Sequence, residues 1–205
     1  MTVPSAVVFD IGNVLIGWDP RNLYRKLFGG RESEMEWFLE NVCNNEWNIE
    51  QDRGRSFADG VKLLTQSHPA ALHVMIHAYH ERWSEMLSGE IAESVAILRA
   101  LHAKSTPVYA ITNWNQDKFR HARTLYPFLD MFRGIIVSGD EGLLKPSAEI
   151  FELFLHRYGL EARHCVFIDD SEKNVHGARE AGLGALHFTS PENLARDLRA
   201  LGLNF

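Results

Sequence analysis

The sequence predicts an α/β fold in which helices cover both faces of a parallel sheet. Short, continuous apolar runs, typical of strands buried on both faces, alternate along the chain with segments of helical periodicity. These runs are residues 6–9, 108–111, 135–137 and 165–168, with a weaker one at 185–188. Each run ends abruptly at polar residues. Strands and helices that alternate in this way indicate a doubly wound parallel sheet.

Helical segments separate the predicted strands. Apolar residues recur at helical spacing over 91–101 and 150–158, and Gly159 stands where a helix C-terminus favours glycine. Ser171 and Ser190 precede two further segments as predicted N-caps, because a serine hydroxyl can accept a hydrogen bond from the first free backbone N–H groups of a helix.

Residues 16–88 interrupt this rhythm. They contain no run like those of the predicted strands, and their apolar residues, from Leu23 to Met86, recur at helical spacing. The segment is too long for an ordinary crossover, whose loops usually hold about 2–6 residues beside one helix. We therefore predict a core domain of residues 1–15 and 89–205, and a small helical cap of residues 16–88 inserted after the first strand.

Composition excludes several classes of protein. The chain has 205 residues, of which 45% are hydrophobic and 23% charged, and its formal net charge is −6. These values suit a globular domain with a modest insertion and argue against a nucleic-acid or membrane partner. No apolar stretch approaches the roughly 18 residues that span a bilayer. Cys43 and Cys165 are far apart in sequence, unlike the pairs of disulfide scaffolds or zinc sites, so we expect a cytoplasmic protein and leave its oligomeric state open.

Polar and charged residues follow the predicted strands. Because ligands of open parallel sheets bind beyond the carboxyl ends of the strands, we expect these side chains to converge there. The set is Asp10, Thr112, Asn113, Lys145, Asp169 and Asp170. One cation, several carboxylates and a hydroxyl in one place indicate a metal-assisted reaction on an anionic group.

Each of these residue types has a chemical role open to it. Asp10 can attack an electrophile as a carboxylate nucleophile. Carboxylates that lie close together need a cation between them, and oxygen ligands favour Mg²⁺. The Thr112 hydroxyl can hold a phosphate oxygen, and so can the backbone N–H groups of Asn113 and Trp114, near a predicted helix start. Lys145 can stabilise the charge of a phosphoryl transition state.

Four short motifs stand at the ends of these strands or in the loops that follow. They are residues 9–15 (FDIGNVL), 111–113 (ITN), 145–146 (KP) and 167–170 (FIDD), the last followed by Asn174. Each motif is weak alone, but in this order they resemble the motifs of the haloacid dehalogenase superfamily, in its branch with a helical cap. The start Asp-x-Gly-Asn is similar to that of bacterial members that hydrolyse small sugar phosphates.

The resemblance implies a three-layer, Rossmann-like sandwich with strand order 3-2-1-4-5. It also implies an aspartyl-phosphate intermediate on the first aspartate, a bound Mg²⁺ and a small-molecule phosphate substrate. The residues implied at the metal are Asp10, the backbone carbonyl of Gly12, and Asp170, with Asp169 and Asn174 in support, and those at the phosphate are Thr112, Asn113 and Lys145.

Gly12 departs from the pattern of most phosphatases in this superfamily, which carry a second aspartate there as general acid and base. Glycine can offer a carbonyl oxygen to a metal, but it cannot move a proton. General acid–base catalysis typically contributes about 10²–10⁴-fold, so we expect a substrate with a good leaving group, such as an anomeric sugar phosphate or an acyl phosphate. Asp19 is the nearest acidic residue in sequence that could take over the proton.

Two other functions remain open beside the Mg²⁺-dependent phosphatase that we predict for a small phosphorylated metabolite. One is a metal-independent 2-haloacid dehalogenase, which lacks the second acid and binds its substrate carboxylate with an arginine of the cap. The cap candidates are Arg21, Arg25, Arg53 and Arg55. The pair Asp169 and Asp170 argues against this function, because carboxylates without a metal would repel an anionic substrate. The other is a catalytically impaired protein that keeps the pocket as a binding site.

Overall fold

The protein is built on a five-stranded parallel sheet. In the computed structural model, which describes residues 3–205, the strands are β1 (Ala6–Phe9), β2 (Ile16–Trp18), β3 (Leu87–Glu90), β4 (Val108–Thr112), β5 (Ile135–Val137), β6 (Cys165–Asp169) and β7 (Gly184–His187). The large sheet has the order β5-β4-β1-β6-β7, and every neighbouring pair in it is parallel. Counted along the chain within this sheet, that order is 3-2-1-4-5. The predicted α/β fold is confirmed.

Helices fill the intervals between the strands. Before β3 they are α1 (Arg21–Phe28), α2 (Glu32–Asn41), α3 (Asn45–Asp52), α4 (Phe57–Ser67) and α5 (Ala70–Glu81). After β3 they are α6 (Ala92–Ala103), α7 (Gln116–Leu125), α8 (Ser138–Glu141), α9 (Ala148–Tyr158), α10 (Glu172–Glu180) and α11 (Pro191–Ala200). Short 3-10 turns lie at Trp83–Met86, Pro127–Met131 and Ala162–His164.

The predicted helix ends are found largely where the sequence places them. Gly159 ends α9 in the left-handed conformation, with φ 62°, and the Ser190 hydroxyl accepts a hydrogen bond from the Asn193 N–H at the start of α11. Ser171 stands at the N-cap position of α10, but its side chain makes no capping hydrogen bond there. That helix start is instead tied to a carboxylate of the site described below.

The large sheet separates two apolar clusters. Alternate residues of a strand point to opposite faces, so Val7 and Phe9 of β1 pack into one cluster, while Ala6 and Val8 pack into the other. Residues of α6 and α11 cover the first cluster, and residues of α9 and α10 cover the second. This arrangement is the expected three-layer sandwich, and it explains why the run of β1 shows no polar alternation.

The segment predicted to be helical throughout, residues 16–88, instead begins with one short strand and ends inside another. β2 pairs antiparallel with β3, and Gly17 stands opposite Gly89. A Cβ at Gly17 would collide with the Ser88 hydroxyl, so a larger residue at position 17 would require that hydroxyl to move. Periodicity could not predict this ribbon, because its strands are short, contain glycine and pair across the whole insertion.

The helices of the insertion share an apolar cluster with the core. Tyr24 of α1 and Phe38 of α2 are fully buried in the same cluster as Phe9 of β1. The division into a core of residues 1–15 and 89–205 and a cap of the intervening residues stays a prediction, and β3 crosses its second boundary.

The lengths of the helices and the state of the two cysteines bear on the expected environment of the chain. Within residues 3–205, none of the helices has both the length and the apolar character needed to cross a membrane. Cys43 and Cys165 are buried free thiols, so neither belongs to a disulfide framework.

Candidate active site

The carboxyl ends of β1, β4 and β6 lie at one edge of the sheet. Asp10 directly follows β1, buried Thr112 is the last residue of β4, and Asp169 is the last residue of β6. One carboxylate oxygen each from Asp10, Asp169 and Asp170 lies within 4.8 Å of the others. The structure therefore assembles the acidic cluster that the strand ends predict.

Lys145 lies between two of these carboxylates. Its Nζ is 2.9 Å from Asp10 Oδ1 and 2.6 Å from Asp169 Oδ2, and all three residues are buried. The same Nζ lies 5.3 Å from the centre of the Phe167 ring. Burial disfavours the charged amine, but the two carboxylates outweigh this effect and raise the pKa of Lys145 above its ordinary value. Lys145 therefore keeps its positive charge in the buried site.

Donors occupy both oxygens of the Asp169 carboxylate. Besides Lys145, it accepts hydrogen bonds from the Ser171 backbone N–H at 2.8 Å and from Asn174 Nδ2 at 2.9 and 3.1 Å. Asp169 thus anchors both Lys145 and the start of α10, and Asn174 fixes its orientation. Asp170, in contrast, is exposed and lines the cavity described below, which leaves it more accessible to a ligand.

Asp10 is held in one orientation, and burial disfavours its ionised form. Its Oδ1 accepts a hydrogen bond from the Ile11 N–H at 2.7 Å in addition to its ion pair with Lys145. Burial raises the pKa of Asp10 to about 7; Lys145 opposes this shift, and Asp169 adds to it. Burial, followed by the Asp169 charge, also raises the pKa of Asp170.

This donor set suits a divalent cation. Among residues 3–205, the carboxylates of Asp10, Asp169 and Asp170 face a single ammonium group, that of Lys145, so the cluster has an excess of negative charge. A divalent cation would balance this excess, and donors that are all oxygen atoms are those that Mg²⁺ prefers.

The loop after Asp10 is tight. Asn13 adopts φ 54°, a left-handed conformation that asparagine reaches more easily than most residues, and its side chain accepts a hydrogen bond from the Trp18 N–H at 2.9 Å. Gly12 lines the cavity, and no atom of the described part of the chain lies within 4 Å of the place where its Cβ would stand. A side chain would therefore fit at Gly12, and packing does not explain the missing acid.

Asn113 and Trp114, which follow β4, both make hydrogen bonds at the site. Asn113 Oδ1 accepts from the Lys145 N–H at 2.9 Å, and its Nδ2 donates to the Lys145 carbonyl at 3.0 Å. The side chain thus fixes the loop that carries Lys145. The Trp114 N–H donates to Ser138 Oγ at 2.9 Å, so it is not free to hold a phosphate oxygen. The expectation for Trp114 is wrong, because the hydroxyl of Ser138, the first residue of α8, accepts a hydrogen bond from that N–H.

A cavity of about 270 Å³ adjoins the acidic cluster. Its aromatic walls are Trp18, Phe57, Trp83 and Trp114, of which the first three come from the insertion. Asp52, the last residue of α3, also lines it. Sequence reasoning missed Phe57, Trp83 and Asp52, because nothing in the local pattern distinguishes a cap residue that faces this cavity from one that faces solvent.

Within residues 3–205, none of the arginines proposed for carboxylate binding lines this cavity. Each is engaged by other residues of the insertion instead. The partners are Glu36 at 2.6 Å for Arg21, Glu32 at 3.1 Å for Arg25, Glu50 at 3.5 Å for Arg53, and Gln51 and the Trp47 carbonyl for Arg55. Asp19 was the candidate to replace the acid missing at Gly12. Its Oδ1 accepts a hydrogen bond from the Arg21 N–H at 2.9 Å. Among the described residues, Asp19 is not part of the cavity lining.

Comparison with known sequences decides the family. Residues 4–182 match a sequence model of the haloacid dehalogenase-like hydrolases. The chain belongs to this family. As a haloacid dehalogenase-like hydrolase, the protein is an enzyme, and the resemblance carried by the four motifs is confirmed.

Curated relatives of this hydrolase include phosphatases. A sesquiterpene phosphatase of Aspergillus oryzae is 28% identical over 200 residues, which cover 98% of this chain and 97% of that protein. A flavin mononucleotide hydrolase of Arabidopsis thaliana is 32% identical over 114 residues, which cover 53% of this chain and 44% of that protein.

Solved structures share the fold of the hydrolase. A haloacid dehalogenase-like hydrolase from Porphyromonas gingivalis superposes with a TM-score of 0.75 at 19% identity, over the whole of both chains. A family member from Bacteroides thetaiotaomicron, in complex with magnesium and inorganic phosphate, gives 0.66 at 23% identity, covering 90% of this chain and 93% of that one. The L-2-haloacid dehalogenase of Xanthobacter autotrophicus gives 0.64 at 17% identity, covering 98% and 83%. Because both phosphate-bound and dehalogenase structures share the fold, the fold does not choose between the reactions.

Gly177 of α10 gives a prediction about the loop that carries Lys145. A Cβ at Gly177 would lie 2.9 Å from Pro146 Cβ and still closer to the Pro146 carbonyl oxygen, so Gly177→Ala must push this loop away from the helix. We expect the free energy of unfolding to fall by about 1–3 kcal/mol and hydrolase activity to fall with it, as measured by urea unfolding and by kcat. The control is His176→Ala, at an exposed position of the same helix. Wild-type stability and kcat in Gly177→Ala would contradict this account of the loop.

Proposed function

We propose that this hydrolase is a Mg²⁺-dependent phosphatase that cleaves a small phosphorylated metabolite through an aspartyl phosphate on Asp10. The observation that carries the proposal is the buried Lys145, which bridges Asp10 and Asp169 while Asp170 completes an acidic cluster beside the cavity. A positive charge fixed next to a carboxylate nucleophile suits a substrate whose transferred group gathers negative charge in the transition state.

Asp10 is oriented for attack on phosphorus. Its Oδ1 is fixed by the Ile11 N–H and by Lys145 Nζ, which leaves Oδ2 as the attacking oxygen. The bond from Oδ2 to phosphorus forms as the bond from phosphorus to the leaving oxygen breaks. Water then attacks the same phosphorus, releases inorganic phosphate and restores the Asp10 carboxylate.

The transferred phosphoryl group is held from the strand ends. Lys145 Nζ balances its developing charge, and Thr112 and Asn113, at the end of β4, are the residues that we assign to its oxygens. The Asn113 side chain also holds the backbone of Lys145 on both sides, so the Lys145 charge is positioned before the substrate arrives. Such pre-positioning avoids reorganisation during the reaction.

The residues that would hold Mg²⁺ are Asp10, the backbone carbonyl of Gly12, and Asp170. Asp169 has its oxygens occupied by Lys145, Ser171 and Asn174, which suits a supporting role through water. When bound, the ion supplies positive charge that offsets the repulsion between the acidic cluster and an anionic substrate.

We further propose a sugar phosphate with a good leaving group as the substrate class. The tryptophan rings of the cavity, Trp18, Trp83 and Trp114, offer flat apolar surfaces, and the C–H face of a sugar ring can pack on such surfaces. The cavity of about 270 Å³ is near the lower end of the range for small-molecule sites, which favours a compact substrate.

The dehalogenase and the impaired binding protein are less well supported. A 2-haloacid needs a cation for its carboxylate, but the cap arginines are engaged elsewhere and do not line the cavity in the described structure. A binding protein without turnover would not need a nucleophile fixed at 2.7 and 2.9 Å by two donors, as Asp10 is.

The test is a product-release screen with and without Mg²⁺. The panel contains sugar, acyl, aryl and nucleoside phosphates together with 2-haloacids, and the readouts are inorganic phosphate and halide. We expect phosphate release that falls to background in EDTA and returns on addition of excess Mg²⁺, because the acidic cluster repels the substrate without the ion. Halide release without metal would establish the dehalogenase instead. Phosphate binding without any product would establish the impaired protein.

A further inference from the structure

Hydrolysis of a phosphate ester with a poor leaving group needs a proton that Gly12 cannot provide. When the phosphorus–oxygen bond to an alcohol breaks, the leaving oxygen takes up a proton, and a positioned acid typically contributes about 10²–10⁴-fold. Asp19 is not part of the cavity lining and is engaged by Arg21. A general acid for such an ester would therefore come from elsewhere in the cavity wall.

Asp52 is the carboxyl of the insertion that lines this cavity. It is half-buried at the C-terminal end of α3, and the same cavity is lined by Asp10, Gly12 and Asp170. The two core carboxylates of the lining belong to the nucleophile and to the assigned metal site. Among residues 3–205, Asp52 is the remaining carboxyl in the lining, and it comes from the insertion rather than from a strand end.

The backbone around Asp52 is fastened to the core. Ser138 Oγ donates to the Asp52 carbonyl at 2.6 Å, and Asn115 Nδ2 donates to the Gln51 carbonyl at 3.1 Å. Gln116 Nε2 donates to the carbonyl of the nearby Gly54 at 3.3 Å. These donors belong to the segments that follow β4 and β5, so the position of Asp52 is fixed relative to the strand ends.

The Asp52 carboxyl is half-buried and is held in place by a hydrogen-bonded amide. Within residues 3–205, its carboxylate oxygens have no ion-pair partner among Lys, Arg and His. Asn48 Nδ2 donates to Oδ2 at 3.0 Å, and the Tyr79 hydroxyl donates to Asn48 Oδ1 at 3.0 Å, which fixes the amide orientation. Burial raises the pKa of Asp52 to about 7, although the Asn115 backbone N–H opposes the shift. A substantial share of Asp52 is therefore protonated near neutral pH.

We infer that Asp52 is the general acid and base of this enzyme, an inference that rests on the phosphatase function proposed above. In the first step, the Asp52 carboxyl gives its proton to the leaving oxygen as the bond from phosphorus to that oxygen breaks. In the second step, the Asp52 carboxylate takes a proton from the water that attacks the aspartyl phosphate, and the bond from Asp10 to phosphorus breaks. The products are an alcohol and inorganic phosphate, and Asp52 ends protonated as it began.

Asp52→Asn tests this role with a series of phosphate monoesters of graded leaving-group pKa, from 4-nitrophenyl phosphate to alkyl phosphates. We expect kcat/KM, which reports the steps up to release of the leaving group, to fall by about 10²–10³-fold for the alkyl esters. For 4-nitrophenyl phosphate it should fall by less than about 3-fold, because a good leaving group departs without a proton. If Asp52 had only a structural role, kcat/KM would fall by the same factor for every ester in the series.

A second variant restores an acid by another route. Because nothing stands within 4 Å of a Cβ at Gly12, Gly12→Asp combined with Asp52→Asn should recover at least about a tenth of the lost kcat/KM for alkyl esters. The matched control, Asp59→Asn, changes an exposed aspartate of α4 and should leave the whole series unchanged.

The outcomes separate the two proposals. In one outcome, the wild-type enzyme shows Mg²⁺-dependent phosphate release, and Asp52→Asn lowers kcat/KM by the same factor for every substrate or for none. The Asp52 inference is then wrong, and the phosphatase function stands. If the wild-type enzyme releases no phosphate from any ester, the phosphatase function fails, and the role of Asp52 fails with it. Activity of Asp52→Asn towards 4-nitrophenyl phosphate also shows that the variant is folded.

Discussion

Asp10→Asn is expected to abolish turnover of 4-nitrophenyl phosphate, with a fall in kcat of about 10⁴-fold or more. An amide oxygen is a far weaker nucleophile than a carboxylate, and it cannot form the aspartyl phosphate that the proposed reaction requires. The measurement is nitrophenol release at saturating Mg²⁺, with wild-type enzyme at matched concentration. Activity near the wild-type level would falsify the assignment of Asp10 as nucleophile.

The same substitution should stabilise the metal-free fold. The pKa of Asp10 is raised to about 7 in the folded protein, chiefly by burial, whereas an unfolded aspartate titrates near 3.9. Wild-type protein therefore loses stability as the pH rises from about 4 to 7, because the folded carboxyl must give up a proton that it holds more tightly than the unfolded one. The amide introduced by Asp10→Asn does not titrate in this range, so we expect the variant to have a higher melting temperature than wild type above pH 7.

The control for this pair of effects is Asp19→Asn. Asp19 lies outside the cavity lining and its Oδ1 accepts from the Arg21 N–H, a bond that an amide oxygen can also make. We expect kcat to stay within about 3-fold of wild type in this variant, since surface changes seldom act on the chemistry. A loss of activity like that of Asp10→Asn would show that Asp19 has a part in the reaction.

Lys145→Met is expected to lower the free energy of unfolding by about 3–5 kcal/mol at pH 8 without metal. The substitution removes the cation from between Asp10 and Asp169, whose side chains stay buried, and buried charges without a partner are strongly destabilising. The loss of the ammonium should also reduce kcat by about 10²–10³-fold, as for other groups that stabilise transition-state charge. Urea unfolding and phosphate release measure the two effects.

The pH dependence distinguishes this cause from a simple packing defect. Without Lys145, which lowers the pKa of Asp10, that pKa rises further in the folded state, so the folded variant binds more protons than the wild type as the pH falls. The stability difference between Lys145→Met and wild type should therefore shrink from pH 8 to pH 5. Lys173→Met, at an exposed position of α10, is the matched control and should stay close to wild type. A difference that is constant with pH would contradict the electrostatic explanation.

The sheet could be predicted because each of its strands is recognisable from its own short stretch of sequence. A strand buried on both faces, such as β1 or β6, is a continuous apolar run, and the polar residue at its end marks where burial stops. The β2–β3 ribbon could not be predicted. Its strands pair across the insertion, with Gly17 opposite Gly89, and this pairing between segments distant in sequence exists only in the folded chain.

The candidate site divides in the same way. Asp10, Asp169 and Asp170 stand at strand ends, so their meeting in one cluster follows from strand topology. Trp114 stands at a strand end too, but its N–H is used by Ser138, a contact that no spacing reveals. The cavity walls from the insertion, Asp52 among them, depend on how the helices between β2 and β3 pack against the large sheet.

The amino-acid sequence by itself determined the parallel sheet, the family and the acidic strand ends. Each of them depends on short stretches of sequence, whose apolar runs and motifs can be recognised without knowing the fold. Only the tertiary structure decided that Lys145 lies between Asp10 and Asp169, that the cap arginines point elsewhere, and that Asp52 enters the cavity. These depend on contacts between segments distant in sequence, and the free energy of such contacts is set by desolvation and partner geometry, which a linear pattern does not contain.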